Sequence, residues 1–175
     1  AHLQEYITGA TGKINYYDVR TFDETYSAVE TEAYLNRDDV KAALHVPQSY
    51  KFVRCSATVK QYLMYDILKS TRDLVLQVGK QLPVLVYNGN FDLKDGTVGT
   101  ELYLQDLIEL KQRRILKING KVKGFVYLPQ QDAQHNITFI TVHGAGHYAP
   151  RDQPVALAEI VNHSQLQMLQ CPWLL

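Results

Sequence analysis

Apolar residues are distributed along the chain in two different patterns, and the first of these patterns predicts a β-sheet. The runs VLVYN (84–88) and ITFITV (137–142) are continuously apolar or β-branched, which is typical of strands buried on both faces. The segment RRILKINGKVKGFVYL (113–128) alternates apolar and polar residues on both sides of Asn119-Gly120, a dipeptide that favours a two-residue hairpin turn. We therefore predict two core strands and a β-hairpin.

The second pattern, with apolar residues three or four positions apart, predicts helices. Asn36 is expected to cap the start of the helix predicted within residues 37–46, and Gly79 is expected to cap the end of the helix predicted within residues 58–80. Residues 1–30 are rich in Tyr and Thr without a sustained period, so we predict extended segments and loops there. The predicted helices lie within residues 37–46, 58–80, 99–111 and 155–169.

Composition and charge narrow the class of protein. The chain has 175 residues, of which 46% are hydrophobic and 21% are charged, as expected for about one globular domain. Eighteen basic residues balance eighteen acidic ones without a long like-charged run, so neither nucleic acid nor a membrane surface is an expected partner. No stretch approaches the roughly 20 apolar residues of a transmembrane helix.

The cysteines and the glycosylation sequons give information on the cellular compartment of the protein. Cys55 and Cys171 are the two cysteines, too few for a disulfide scaffold and too far apart for a zinc motif. Asn136 and Asn162 each begin an Asn-X-Ser/Thr sequon, which favours a secretory compartment, although such tripeptides also arise by chance. The chain begins with neither an initiator Met nor a signal-peptide pattern, and we expect it to be a processed or excised product.

Two polar side chains directly follow the two predicted core strands. Asp92 ends VLVYNGNFD, and His147 ends ITFITVHGAGH. Groups that follow the carboxyl ends of parallel strands meet at one edge of an open α/β sheet. An acid followed in sequence by a histidine is the second half of the order Ser, Asp, His that α/β-hydrolases use. The pair therefore predicts an acid and a base that act together.

The loop HGAGH (143–147) also has two simpler interpretations. His143 and His147 could bind a metal ion, but a His-x-x-x-His pair needs a helix to bring both rings to one face, and Gly144 and Gly146 disfavour a helix. The loop could instead be a surface turn without a function. Its agreement with the position of Asp92 favours the catalytic interpretation over both.

At this point the sequence resembles a known family. The segments LPVLVYNGNFD, GTEL, KGFVYL and NITFITVHGAGHYAPRDQPVALAEI look like the C-terminal third of the serine carboxypeptidases, and NRDDVKAALHVP and RCSATV also fit that pattern. The resemblance covers about residues 30–160. It implies an α/β fold in which residues 1–175 are the C-terminal part of one α/β-hydrolase domain, with a sheet completed by a missing N-terminal chain. Residues 1–30 would be an irregular lead-in, and residues 31–175 would carry the helices, the last core strands and the two catalytic loops.

The resemblance also implies roles for individual residues. Asp92 matches the acid of the family's catalytic triad, and His147 matches its general base. Gly146 and Tyr148 would line the substrate pocket, although the family usually has Met where Tyr148 stands, so Tyr148 either packs in its place or changes the substrate preference. His143 would be structural. No metal and no other cofactor is implied, and the substrate would be the C-terminus of a peptide in a lysosome, a vacuole or the extracellular space.

The family's nucleophile is missing from this sequence. A nucleophile elbow needs glycine two residues from the serine, and none of the five serines, at positions 27, 49, 56, 70 and 164, has one. The resemblance therefore implies that a large N-terminal chain of the same precursor carries the serine. Cys55 resembles a family cysteine that bonds to that part, which would make an interchain disulfide, whereas the competing interpretation is a free buried thiol. Cys171 stays unassigned.

We therefore interpret the chain as the small chain of a two-chain serine carboxypeptidase, inactive alone, whose two-chain unit could form a homodimer. Two alternatives stay open. The protein could be an inactive paralogue that acts as a binding or structural subunit, or the same scaffold could carry an acyltransferase or a lyase, because fold does not determine reaction.

Overall fold

A computed structural model describes residues 2–12, 14–22, 29–130 and 134–166 of the chain. Helices come before the first strand, between the first and second strands, and after the last strand. In chain order the elements are α1 (His2–Thr11), α2 (Val29–Leu35), α3 (Asp38–Ala43), α4 (Ala57–Ile67), α5 (Arg72–Gly79), β1 (Val84–Gly89), α6 (Thr97–Leu104), a 3₁₀ turn (Leu110–Gln112), β2 (Arg114–Ile118), β3 (Lys121–Tyr127), β4 (Ile137–Val142), α7 (Ala149–Asp152) and α8 (Pro154–Leu166).

The chain divides into two compact units. The sheet unit comprises residues 1–23 and 72–175, and the helical unit comprises residues 24–71. The helical unit contains α2, α3 and α4. The sheet unit contains every described strand and both predicted catalytic residues.

The strands form one mixed sheet with the order β1-β4-β3-β2. Strands β1 and β4 pair in parallel from Val84↔Ile137 to Gly89↔Val142, whereas β3 is antiparallel to both β4 and β2. Every residue of β4 is buried because the strand has neighbours on both sides, while most of β1, at the edge of the described sheet, is only half-buried. The predicted parallel core strands are confirmed, and with them the α/β fold class.

The predicted hairpin is also confirmed. Asn119 and Gly120 connect β2 to β3 with φ angles of 51° and 73°, the left-handed conformation that a type I′ turn requires at both positions. Further along β3, Gly124 has a φ of 152°, and a Cβ atom there would lie 1.7 Å from the carbonyl oxygen of Thr141 on β4. Only glycine allows this approach of the two backbones.

The core lies on both faces of the sheet. Successive side chains of a strand point to opposite faces, and β4 accordingly contributes Ile137 and Phe139 to one cluster and Ile140 and Val142 to another. Helix α6, through Leu104, packs on the first cluster. Helix α8 covers the second through Ala156, Leu157 and Ile160.

The helix boundaries correct several predictions. The N-terminal region is not irregular throughout, because residues 2–11 form α1, with Glu5 in its first turn and Gly12 (φ 78°) directly after its end, where a left-handed residue stops a helix. The helix predicted within 58–80 is divided into α4 and α5 around Ser70 and Thr71, residues that disfavour helix interiors. The helix predicted for 99–111 ends at Leu104.

The predicted cap of α3 is wrong. Arg37 is the N-cap residue and makes no side-chain capping bond. Asn36 instead ties two segments of the helical unit together, because its Oδ1 accepts from the Phe52 amide at 2.8 Å and its Nδ2 donates to the Phe52 carbonyl at 2.9 Å. The Asn36 side chain therefore forms hydrogen bonds with the backbone of Phe52 instead of with the free amides at the start of α3.

Residues 14–22 form a loop that is closed by its own hydrogen bonds. Asn15 accepts from the Tyr17 amide at 3.0 Å and donates to the Thr21 hydroxyl at 2.9 Å. Asp18 is buried and pairs with Arg20 through two contacts, Nε–Oδ1 at 2.8 Å and Nη2–Oδ2 at 2.6 Å. The hydrogen bonds from the Arg20 guanidinium hold the pKa of Asp18 below its ordinary value of 3.8, against the opposing effect of burial.

Replacing Asp18 by Asn is expected to change how the stability of the protein depends on pH. Because the folded-state pKa of Asp18 lies below the value of 3.8 expected for the unfolded chain, its stabilising effect is fully present above that value and is lost as the pH falls through the folded-state pKa. Denaturant unfolding of the wild type and of Asp18→Asn, measured between about pH 2 and pH 6, should therefore show the largest difference above about pH 4 and convergence below it.

Asp39→Asn is the matched control for this measurement. Asp39 also pairs with an arginine two residues away, Arg37, but both side chains are more than half exposed, so solvent screens the pair. The free energy of unfolding of Asp39→Asn should therefore stay close to that of the wild type over the whole pH range. A separation between wild type and Asp18→Asn that is constant with pH would contradict the assignment.

Candidate active site

The acid of the site is fixed by the turn that follows β1. The Asp92 amide donates to the Gly89 carbonyl oxygen at 3.2 Å, which closes the turn. Asp92 is only 8% exposed, and its Oδ1 accepts hydrogen bonds from the backbone amides of Lys94 at 2.9 Å and Asp95 at 3.1 Å. Two backbone donors thus stabilise one oxygen of a buried carboxylate, and the other oxygen, Oδ2, stays available for a further partner.

The histidine loop lies directly against this turn. The Phe91 amide donates to the Ala145 carbonyl oxygen at 2.9 Å, and the Gly144 amide donates to Oδ1 of Asn90 at 3.0 Å. A Cβ atom at Gly89 would lie 2.2 Å from the Gly146 carbonyl oxygen, so glycine is required where the two backbones meet. The parallel pairing of β1 and β4 therefore continues into the loops as a second set of contacts.

The two predicted catalytic residues meet in the structure. Nδ1 of His147 lies 2.9 Å from Oδ2 of Asp92, although 55 positions separate them in sequence. An ionised carboxylate only accepts hydrogen bonds, so this contact assigns the proton of a neutral imidazole to Nδ1 and leaves Nε2 with a lone pair. A histidine in this tautomer can accept a proton at Nε2.

A second carboxylate lies near the same ring nitrogen. Oδ2 of Asp95, a residue on the surface, is 3.3 Å from Nδ1 of His147. Asp92, Asp95 and His147 could each offer one ligand atom to a metal ion, and these atoms lie within 4.8 Å of one another. His143 is not in this group, because its ring packs edge-on against Phe125 at 5.2 Å. The described residues therefore do not bring His143 and His147 together as a metal-binding pair.

The two predicted pocket residues have different environments. The Tyr148 ring is perpendicular to the His147 ring, with centroids 5.2 Å apart. Gly146 is buried, and a Cβ atom there would lie 2.5 Å from the Tyr17 carbonyl oxygen. Gly146 thus allows a close packing of the histidine loop, and the part of either residue in a substrate pocket stays a prediction.

The loop formed by residues 14–22 is a component of the site that the sequence did not reveal. The Tyr17 carbonyl oxygen accepts from the His147 amide at 2.7 Å, and the Tyr16 carbonyl oxygen accepts from the Lys94 amide at 3.0 Å. The Tyr17 ring lies 5.2 Å from the His147 ring. This segment therefore contacts both of the loops that carry the predicted catalytic residues. Its only sequence signal is a pair of turn-forming residues, Asn15 and Asp18.

The remaining predicted sites are on the surface or lie outside the described residues. Cys55 is exposed in this chain and forms no disulfide within the part of the chain that the structure describes, so both the interchain disulfide and the free buried thiol stay predictions. Asn136 and Asn162 are both exposed. Cys171 falls outside the described residues. Among the helices that are described, none combines the length and the hydropathy needed to cross a bilayer.

Comparison with known proteins gives a consistent result. The profile of the serine carboxypeptidase family matches residues 7–165. A probable serine carboxypeptidase CPVL of Dictyostelium discoideum is 31% identical over 90% of this chain and 32% of its own length. The lysosomal protective protein of Mus musculus is 33% identical over 70% of this chain and 27% of its own length. Serine carboxypeptidase-like 50 of Arabidopsis thaliana is 30% identical over 73% of this chain and 30% of its own length.

A solved structure extends the comparison to the fold. A prohormone-processing carboxypeptidase from Saccharomyces cerevisiae superposes with a TM-score of 0.65 at 18% identity, covering 91% of this chain and 38% of that one. The chain thus has a carboxypeptidase α/β-hydrolase fold, and it spans about a third of the length of the curated relatives named above. Together with the contact between Asp92 and His147, the match over residues 7–165 shows that this chain belongs to the serine carboxypeptidase family.

Proposed function

We propose that this chain supplies the acid and the base of a serine carboxypeptidase whose nucleophilic serine lies on a partner chain. The observation that carries the proposal is the hydrogen bond of 2.9 Å between Nδ1 of His147 and Oδ2 of Asp92. The substrate is the C-terminus of a peptide, and the products are a single amino acid and the shortened peptide.

The chemistry follows from the two side chains. Nε2 of His147 accepts the proton of the serine hydroxyl as its oxygen attacks the carbonyl carbon of the last peptide bond, and then returns that proton to the leaving amine, which leaves the shortened peptide as an ester on the serine. Nε2 next accepts a proton from the water that attacks this ester and returns it to the serine oxygen, which releases the shortened peptide. Asp92 holds the Nδ1–H tautomer and stabilises the imidazolium that forms between these steps. Tyr148, next to the His147 ring, and Gly146 are proposed to border the pocket of the leaving residue. No metal or other cofactor takes part.

Exposed apolar surface in each unit supports a partner that carries the rest of the domain. Val84, Leu85 and Val86 of β1 are only partly covered, although strands of this composition are normally buried on both faces. In the helical unit, no residue of α4 is buried, and Tyr62, Tyr65 and Leu68 are at least 77% exposed. Apolar surface of this kind marks an interaction site. The proposed partner is the large N-terminal chain of the same precursor, and the two-chain unit could in turn form a homodimer.

The same proposal includes a route through the secretory pathway to a lysosome, a vacuole or the extracellular space. One relative is named lysosomal protective protein and another venom serine carboxypeptidase. Asn136 and Asn162 are exposed and could carry glycans.

The catalytic part of the proposal is tested by substitution in the complete protein. Asp92→Asn is expected to lower kcat for release of the C-terminal residue by roughly 10⁴-fold, because the imidazole loses the group that holds its tautomer, and His147→Gln by roughly 10⁶-fold, because the general base itself is removed. His143→Gln is the control from the same loop, and its kcat should stay within about threefold of the wild type, because the His143 ring packs against Phe125 and does not belong to the group formed by Asp92, Asp95 and His147. Retention of most activity by either dyad variant would contradict the proposal.

Chelation separates this mechanism from metal chemistry at the same residues. Activity should be unchanged after treatment with EDTA. Loss of activity that is restored by a divalent ion would instead assign Asp92, Asp95 and His147 to a metal site. A complete protein without a serine partner would support the inactive paralogue, and transfer of the acyl group to an alcohol in preference to water would support the acyltransferase.

The partner chain is tested through Cys55. Because Cys55 is exposed, we expect it to form the interchain disulfide, so the native protein should have a larger mass that separates under reductant into this 20.0 kDa chain and a heavier one. Cys55→Ser should abolish the larger species in non-reducing mass spectrometry, whereas Cys171→Ser should preserve it. Loss of the larger species with Cys171→Ser alone would contradict this assignment.

A further inference from the structure

We infer that Arg20 is a positioning residue for the catalytic histidine, an inference that rests on the proposed function of the dyad. Arg20 lies on the loop of residues 14–22, which no sequence motif connects to the chemistry. Its guanidinium group contacts three different parts of the site, and each contact constrains a backbone that carries a catalytic side chain.

The first contact is with the histidine loop itself. Nη1 of Arg20 donates to the Gly144 carbonyl oxygen at 2.9 Å. Gly144 has a φ of 74°, and glycines on both sides of Ala145 leave this backbone many accessible conformations. A loop of this composition needs outside contacts to hold one conformation, and the guanidinium supplies one of them three residues before His147.

The second contact connects the guanidinium to the residue directly before the histidine. Nη2 of Arg20 lies 3.4 Å from Oδ2 of Asp152, and the same carboxylate oxygen accepts from the Gly146 amide at 2.7 Å. Arg20 and Gly146 therefore share an acceptor on α7. Since the His147 amide donates to Tyr17, the backbone at 146–147 is held on both sides by groups linked to this loop.

The third contact reaches the loop of the catalytic acid. The Arg20 guanidinium lies over the Phe91 ring, 4.7 Å from its centroid, and Phe91 directly precedes Asp92. Arginine stacks on aromatic rings through its planar face while its edge donates hydrogen bonds. One guanidinium thus contacts both catalytic loops at once.

Asp18 fixes the guanidinium in this position. Its carboxylate accepts from Nε and Nη2 of Arg20, a bidentate geometry that sets the orientation of the guanidinium plane. Lysine cannot replace this arrangement, because a single ammonium group offers neither the fork nor the flat face. Among the described residues, the Arg20 guanidinium contacts Asp18, Gly144, Asp152 and Phe91, so we infer that it acts through the position of His147.

The kinetic test uses Arg20→Lys and Arg20→Met in the complete protein. We expect kcat to fall by about 10- to 100-fold while KM changes by less than about threefold, because a shift of the base on the order of 1 Å is enough to cost such a factor. Added guanidinium ion should restore part of the lost kcat in Arg20→Met. Arg37→Met is the matched control, since Arg37 makes a similar bidentate pair with Asp39, and its kcat should not change or respond to guanidinium.

A second measurement does not depend on activity. Amide hydrogen exchange of the peptide covering residues 143–148 should be at least tenfold faster in Arg20→Met than in the wild type, and unchanged in Arg37→Met, because the loop opens more often without its guanidinium contact. Unfolding curves verify that each variant is folded. If Arg20→Met does not fold, the exchange measurement is made on Arg20→Lys instead.

The outcomes separate the inference from the proposed function. An unchanged kcat and unchanged exchange in the Arg20 variants would overturn the positioning role while leaving the dyad intact. A wild-type protein that cleaves no peptide would overturn the proposed function, and the exchange measurement would then decide the positioning role by itself. A rise in KM without a fall in kcat would assign Arg20 to substrate binding and overturn the inference.

Discussion

The parallel pairing of β1 and β4 is the constraint on which the rest of the structure depends. Its register places Gly89 opposite Val142, so both strands end at the same level and their following loops begin side by side. The loops then bond to each other through Phe91 and Ala145. A hydrogen bond of 2.9 Å between Asp92 and His147 is the consequence of this shared edge, as expected where catalytic groups follow the carboxyl ends of parallel strands.

The elements that the sequence predicted well are those with strong local or periodic signals. The run ITFITV is buried at every position, and Asn119-Gly120 forms the expected turn because few other residue pairs adopt two positive φ angles. Asp92 and His147 were predictable from topology, since each follows a core strand. Helix boundaries were less predictable because apolar spacing continues across Ser70 and Thr71, where the backbone nevertheless leaves the helix.

The parts that the sequence did not predict depend on contacts between distant residues. The loop of residues 14–22 forms hydrogen bonds with partners 72 to 132 positions away, and neither Tyr17 nor Arg20 belongs to a pattern that indicates such a contact. Its buried Asp18 needs a counter-charge, which Arg20 provides. The same guanidinium also satisfies the Gly144 carbonyl oxygen, so stabilisation of the loop and positioning of the histidine result from one interaction. Physical complementarity of this kind becomes visible only in three dimensions.

The proposed mechanism requires Asp92 and His147 to activate a serine that lies outside this chain. The most direct measurement is to treat the native protein with a fluorophosphonate, digest it, and locate the modified residue by mass spectrometry. We expect one modified serine in a peptide that does not come from this chain, and no modification when His147 is replaced by Gln. Modification of a serine within residues 1–175, or equal modification without His147, would contradict the claim.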